Sequence, residues 1–364
     1  MTDLELNLPL THQLLLEGID AGLHPGAQIY VSQRGAVVAN DGIGESRPGV
    51  PMTCDTLNLW MSCTKPITAV LLGQLWEQGQ MDIDAPAAEV IPEFAQAGKS
   101  DITFRHILTH TGGFRTEPAD LYELDWDDAV ASVCELELEP DWLPGERAGY
   151  HPSTSWYVLG KALCRIYGEP FPEVVRSRLF DPVGMRDSWI GIPPDRQNEY
   201  GERIGWMHLT RRALEPHDAS NSQSGTAQVR PSGNGRGPIR ELGRFYEMLL
   251  AGGEGFLTER TITALTSRQR VGLFDQTFQH EMDWGLGFMV DNNRYGPDTV
   301  PYSFGRHASQ SVFGHGGSQS SAAFADPEHD LVVALVCNGM PGQPRHNVRA
   351  RDLHTAIYED LGLS

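Results

Sequence analysis

Positive charge is scarce in this chain: 28 Lys and Arg stand against 48 Asp and Glu, for a formal net charge of −20 over 364 residues. A surface of that sign repels phosphate backbones and anionic headgroups, so neither nucleic acid nor a membrane surface is expected as a partner. It also disfavours highly anionic substrates at long range, unless a local cationic pocket overrides it. Long apolar runs are missing, with nothing near the ~18 to 20 residues that span a bilayer. The first residues, MTDLELNLPLTHQLLLEG, lack a basic n-region, an apolar h-region and a small-residue cleavage site, which leads us to expect a cytoplasmic protein. Cysteine is sparse and unpatterned: Cys54, Cys63, Cys134, Cys164 and Cys337 are odd in number and contain no C-x-x-C pair. A disulfide framework and a zinc ribbon are both disfavoured on that ground. Internal repeats and low-complexity tracts are absent as well.

What is present reads as one globular unit with ordinary apolar content. Pro9 and the pairs Leu10/Leu14 and Leu15/Ile19 predict a helix over 9–21. Two β-branched runs between Ala27 and Asn40 flank a Gln33-Arg34-Gly35 turn and predict a hairpin. A second helical pattern runs from near Ser62 to Gln78, and Gly79 is placed to end it. The stretch 81–239 is mixed, helix-leaning and punctuated by Pro and Gly; within it, 215–238 is polar and reads as a long loop. A helix is predicted over 239–251, a hairpin over 321–337 with its turn at Pro327–Asp330, and a last helix over 346–361. Early and late strands can complete one antiparallel sheet. The expected fold class is therefore α+β: one catalytic unit over 1–364, with an α/β lobe from 1–80 plus 240–364 and a helical insert over 81–239.

Chemistry concentrates in three segments. In Ser62-Cys63-Thr64-Lys65, Ser62 and Lys65 share a helix face at i, i+3. A serine hydroxyl needs a neighbour to take its proton, and a lysine can do so when its ammonium is destabilised by burial or a nearby cation. The Ser62 amide, near a helix N-terminus, can donate to an oxyanion. Cys63 points about 100° away around the helix and reads as core. The second segment runs from Trp142 through Tyr150 to Tyr157, the third from Phe313 through His315, Gly316 and Gly317 to Ser318. S-x-x-K alone is a weak signal, since a four-residue pattern recurs by chance.

In this order and spacing the three segments resemble the serine β-lactamase and penicillin-binding-protein superfamily, above all class C β-lactamases and their esterase relatives, the family VIII carboxylesterases. Ile102-Thr-Phe-Arg-His-Ile-Leu-Thr-His-Thr-Gly-Gly-Phe, Leu179-Phe-Asp-Pro-Val-Gly-Met and Trp284-Gly-Leu-Gly-Phe are similar to further landmarks of that family. The resemblance implies a β-lactamase/transpeptidase-like fold, Ser62 as acyl-forming nucleophile, Lys65 as its partner and Tyr150 as proton shuttle. His315-Gly316-Gly317 stands at the family's Lys-Thr-Gly position on a strand edging the cleft, which implies a substrate-binding role for these three, with His315 orienting the substrate or tuning Tyr150; the Ser318 amide matches the second oxyanion donor. Two departures matter. Pro152 replaces the Asn of the tyrosine motif, and its side chain cannot hydrogen-bond. His315 replaces a lysine and is weakly cationic at neutral pH. Both lost groups engage β-lactam or peptide substrates in the family, so the resemblance leans towards ester chemistry on a small acyl substrate. Acyl transfer, amide or lactam hydrolysis, and a non-catalytic scaffold are the rival readings. No metal or organic cofactor is called for.

Plainer readings cover the remaining features. His106 and His110, at i, i+4, read as capping or core groups rather than metal ligands. Gly316-Gly317-Ser318-Gln-Ser320 lacks the last glycine of a nucleophile elbow. Gly233-Asn-Gly-Arg-Gly237 reads as a loop rather than a phosphate cradle. Trp60, Trp142, Trp156 and Tyr157 fit either a core or the wall of an apolar acyl pocket. Residues 114–142 and 215–238 are expected to wall the cleft.

Overall fold

The computed structural model describes residues 2–363. Its centre is a seven-stranded antiparallel sheet. The strands are β1 (Gly26–Gln33), β2 (Ala36–Arg47), β3 (Val50–Pro51), β4 (Met289–Val290), β5 (Phe313–Gly317), β6 (Ser321–Asp326) and β7 (Leu331–Cys337), in the order β4-β5-β6-β7-β1-β2-β3. The first and last hairpins meet where β1 lies against β7, with Ala27 opposite Cys337 and Gln33 opposite Leu331. The β1–β2 hairpin closes through Arg34 and Gly35 at φ 51° and 73°. Positive φ at both central residues is the two-residue geometry that matches strand twist.

Alternation along the strands splits the core in two. From β7, Leu331, Val333, Leu335 and Cys337 join one apolar cluster, while Val332, Ala334 and Val336 join another. Helices α1 (Pro9–Asp20) and α5 (Gln343–Asp360) cover the first face through Leu15, Leu353, Ile357 and Tyr358. Helix α1 has no cap of its own; the Asp360 carboxylate accepts from the Leu10 and Thr11 amides at 3.0 and 2.9 Å and ties the two helices together. The other face carries α4 (Ile239–Leu250) and, deeper, α2 (Lys65–Glu77). Helix α2 is buried from Lys65 to Leu75, as a helix apolar on all sides requires.

Between α2 and α4 helices outnumber strands among long connecting segments, with α3 (Thr154–Tyr167) the longest helix. Residues 215–238 depart from the expected single loop. They form a short strand at Glu215–Pro216, helices over Asp218–Asn221 and Gln223–Ala227, and a strand at Gly235–Gly237. That last strand pairs with Asn58–Leu59 and Trp189–Ile190. Its glycines answer a steric demand, because a Cβ at Gly235 or Gly237 would sit 2.6 or 2.8 Å from the Trp60 ring. Among the described residues no helix is long and apolar enough to cross a membrane.

Candidate active site

Ser62 stands at a forced bend. Met61 has φ 50°, a left-handed conformation uncommon for a side-chain-bearing residue, and a 3-10 turn over Met61–Thr64 leads into α2. The first bond of that turn runs from the Cys63 amide to the Trp60 carbonyl at 3.2 Å. The Ser62 amide precedes it and is left free by helix geometry. The bend is pinned from outside: the Trp60 amide donates to the Gly235 carbonyl at 2.8 Å, and the Thr64 hydroxyl accepts from the Gly235 amide at 2.9 Å. The glycine-rich stretch before α4 is thus a strand that clamps the Ser62 turn.

Lys65 opens α2 with its side chain fully buried. Its Nζ donates to Ser62 Oγ at 3.2 Å, the Pro152 carbonyl at 2.7 Å and the Ser232 carbonyl at 3.0 Å. None of these partners is a carboxylate, so burial lowers the ammonium pKa from 10.5 to about 7. Pro152 enters the site through its backbone, a contact that a side-chain motif cannot display. Cys63 turns away from the cleft as its helix position requires. Its thiol donates to the His315 carbonyl at 3.0 Å, and burial pushes its pKa up to about 12.

Tyr150 lies in the segment before α3, 8% exposed. Burial raises its phenol well above the ordinary value, and the neighbouring Ser62 hydroxyl opposes the rise. Its ring stands 5.0 Å from Lys65 Nζ and packs on His110, Phe278 and Trp284 at 4.6, 4.8 and 5.8 Å. Asp275 orients its backbone: Oδ1 accepts from the Tyr150 amide at 3.0 Å, and Oδ2 from Arg270 at 3.0 Å in a fully buried ion pair. Neither residue carried a motif signal, since they reach Tyr150 only through tertiary contact. His151 donates its amide to His110 Nδ1 at 3.1 Å, and His106 closes a capping box with Thr103.

Strand β5 edges the site. A Cβ at Gly317 would lie 2.6 Å from the Trp60 carbonyl oxygen, so glycine lets the strand approach the Ser62 turn. Ser318 follows in the turn to β6 and lines the cleft beside Ser62. The Gly316–Ser320 stretch is therefore part of a β-hairpin, not a strand-to-helix elbow. His315 does not open onto the cleft: it is 1% exposed, its ring 6.1 Å from Tyr150 and 5.7 Å from Trp284, and burial lowers its pKa to about 3.

The cleft measures about 1180 Å³, and both 119–126 and 217–233 contribute walls. Tyr157 lines it, whereas Trp60 and Trp156 are wholly core and Trp142 is held by the Thr111 carbonyl. A hydroxyl beside a destabilised ammonium and a phenol, with free amides at a helix start and a strand end, is an arrangement suited to acyl chemistry.

Known proteins resemble this chain over most of its length. The beta-lactamase family model matches residues 13–356. The chain is 25% identical over 344 residues to the Esterase/beta-lactamase LipL of Mycobacterium tuberculosis, covering 85% of this chain and 76% of that protein. It superposes on a penicillin-binding protein homolog from Caulobacter crescentus with a TM-score of 0.80 at 28% identity, covering 97% of each chain. A family VIII carboxylesterase gives a TM-score of 0.78 at 26% identity, again over 97% of each. With a match across nearly its whole length, this chain belongs to the beta-lactamase family and is a serine hydrolase of the β-lactamase and penicillin-binding-protein superfamily.

Proposed function

We propose that the protein hydrolyses carboxylic esters through an acyl-enzyme on Ser62. One observation carries the reading: the Lys65 ammonium bonds Ser62 Oγ while its other partners are backbone carbonyls. With a pKa of about 7 it is substantially neutral near physiological pH and can share the Ser62 proton with Tyr150. Ser62 Oγ then attacks the ester carbonyl, and the amides of Ser62 and Ser318 receive the oxyanion. As the tetrahedral adduct collapses, the C–O bond to the alcohol breaks and Tyr150 returns the proton to the leaving oxygen. Water repeats the sequence on the acyl-enzyme and releases the acid. His315, neutral and buried behind Tyr150, would hold the phenol rather than bind substrate.

Ester is preferred to lactam or peptide because Pro152 and the neutral His315 remove groups that bind those substrates in the family. The family VIII carboxylesterase supports the same choice by its name, while the name of LipL covers ester and lactam alike. A fluorophosphonate probe followed by intact mass tests it. One adduct is expected on the native chain and none on Ser62→Ala; a label persisting on Ser62→Ala refutes the nucleophile. A p-nitrophenyl ester series of graded chain length, with and without excess alcohol as acceptor, then separates hydrolysis from acyl transfer.

A further inference from the structure

One arginine in the cleft wall, and a second buried behind it, form no ion pair among the described residues. Arg230 lines the cleft with Ser62. Its guanidinium lies 5.0 Å over the Tyr122 ring, and Nη2 reaches the Asn234 side-chain oxygen at 3.3 Å. Its Nε is buried without a hydrogen-bond partner, and among the described residues no carboxylate pairs with it. Arg236 is fully buried; it donates to the Ser220 carbonyl, and its Nε and Nη1 have no partner. The Arg230 guanidinium is close enough to disfavour the charge on Arg236. The charge of Glu117 reaches Arg230 from beyond salt-bridge distance, and among the described residues no carboxylate forms an ion pair with either guanidinium. Desolvated, unpaired charge is costly, and an arriving anion offsets that cost.

The other ionisable groups around the cleft have hydrogen-bond partners of their own or stand at its rim. Glu117 accepts the Tyr122 hydroxyl at 2.9 and 3.0 Å, and Asp125 caps the helix over Trp126–Glu135. His217 accepts the Ser220 amide at Nδ1, and burial lowers its pKa. Glu123 and Asp125 are exposed at the rim, which disfavours polyanions and tolerates one compact charge. The leaving oxygen must lie against Tyr150, packed among His110, Phe278 and Trp284. Arg230 instead belongs to the wall of Tyr122 and Tyr157, so a group that reaches it belongs to the acyl side of the ester.

Resting on the ester reading above, we propose that the acyl portion of the substrate carries a carboxylate held by Arg230, as in a half-ester of a dicarboxylic acid. The planar fork of the guanidinium suits a carboxylate, and an orphaned Nε is one of the two donors that such a pair uses.

The test compares kcat/KM for the mono-p-nitrophenyl ester of glutaric acid and for p-nitrophenyl pentanoate, which share a leaving group. In Arg230→Gln the anionic-to-neutral ratio should fall about tenfold or more, the size of a hydrogen bond to a charged group. Arg230→Lys should retain part of it. In the native enzyme, needing no variant, the ratio should fall as NaCl rises toward ~1 M, and glutarate should slow fluorophosphonate labelling more than pentanamide does. Equal ratios in native enzyme and Arg230→Gln, together with salt independence, overturn the inference while leaving the ester reading intact. An advantage that follows a carboxylate on the phenol instead also overturns it. Turnover of neither ester removes the ester reading, and this inference with it.

Discussion

Lys65 is asked to be neutral while surrounded by oxygen atoms, and the pH dependence of catalysis reports whether it is. Its base form is the active one, so kcat/KM for an ester should rise about tenfold per pH unit below pH 7 and level off above it. A profile flat from pH 5 to 8 would remove Lys65 from the proton path. The same shift bears on folding. The unfolded chain binds the extra proton between about 7 and 10.5, so the Lys65 contribution to stability rises with pH across that window and is unfavourable below it. His315 cannot produce this limb, because burial lowers it to about 3. Replacing it by the lysine usual in the family should therefore not create a substrate anchor. His315→Lys places an ammonium in a 1%-exposed site near Lys65 and should cost on the order of 2–5 kcal/mol. Thermal unfolding measures it; an unchanged midpoint would show that residue 315 reaches solvent. In the sequence, the substitution at 315 was visible but not its burial, which depends on Tyr150 and Trp284 arriving from elsewhere in the chain.

At the scale of elements, the site depends on how closely β5 and the Gly235–Gly237 strand press on the Ser62 turn. Gly317→Ala would put a methyl 2.0 Å from Ser321 Oγ and 2.6 Å from the Trp60 carbonyl oxygen. The serine can rotate; the backbone oxygen cannot. Relief must come from the strand moving away, at about 1–3 kcal/mol of overpacking, and the Ser318 amide moves with it. We expect kcat for a p-nitrophenyl ester to fall more than KM, and the thermal midpoint to drop. A variant with native kcat would show that this spacing does not set the oxyanion site. The hairpins and major helices were readable in advance because period-2 and period-3.6 patterns and turn residues are local signals. The 215–238 segment was not, because its Ser and Gly content resembles a loop while its strand forms only against Asn58–Leu59 and Trp189–Ile190.

Across the whole molecule, the decisive contact joins the two ends of the chain. Strand β7 fills the gap between β6 and β1, so the central sheet cannot close until nearly every residue is present. Such non-local pairing slows folding and leaves unpaired edges until the last strand docks. A chain ending at Asp330 would lack β7 and α5, expose both neighbouring strands and lose the Asp360 cap on α1. It should show no cooperative thermal transition and should aggregate. A soluble truncation with a sharp melt would mean that the remaining strands close the sheet by themselves.

The Ser62-x-x-Lys65 spacing, the Tyr150 segment and the His315-Gly-Gly strand were all legible as sequence. Local periodicity sufficed to place Ser62 at a helix start and to indicate an α+β fold, and the family resemblance supplied the proposal that Ser62 is the nucleophile. Tertiary structure decided what surrounds them. The Pro152 and Ser232 carbonyls on Lys65, the Asp275–Arg270 pair behind Tyr150 and the unpaired Arg230 and Arg236 come from positions distant in sequence. Backbone acceptors and desolvation have no residue code. They arise only when the chain closes on itself and excludes water, and they set the Lys65 pKa and the charge of the cleft.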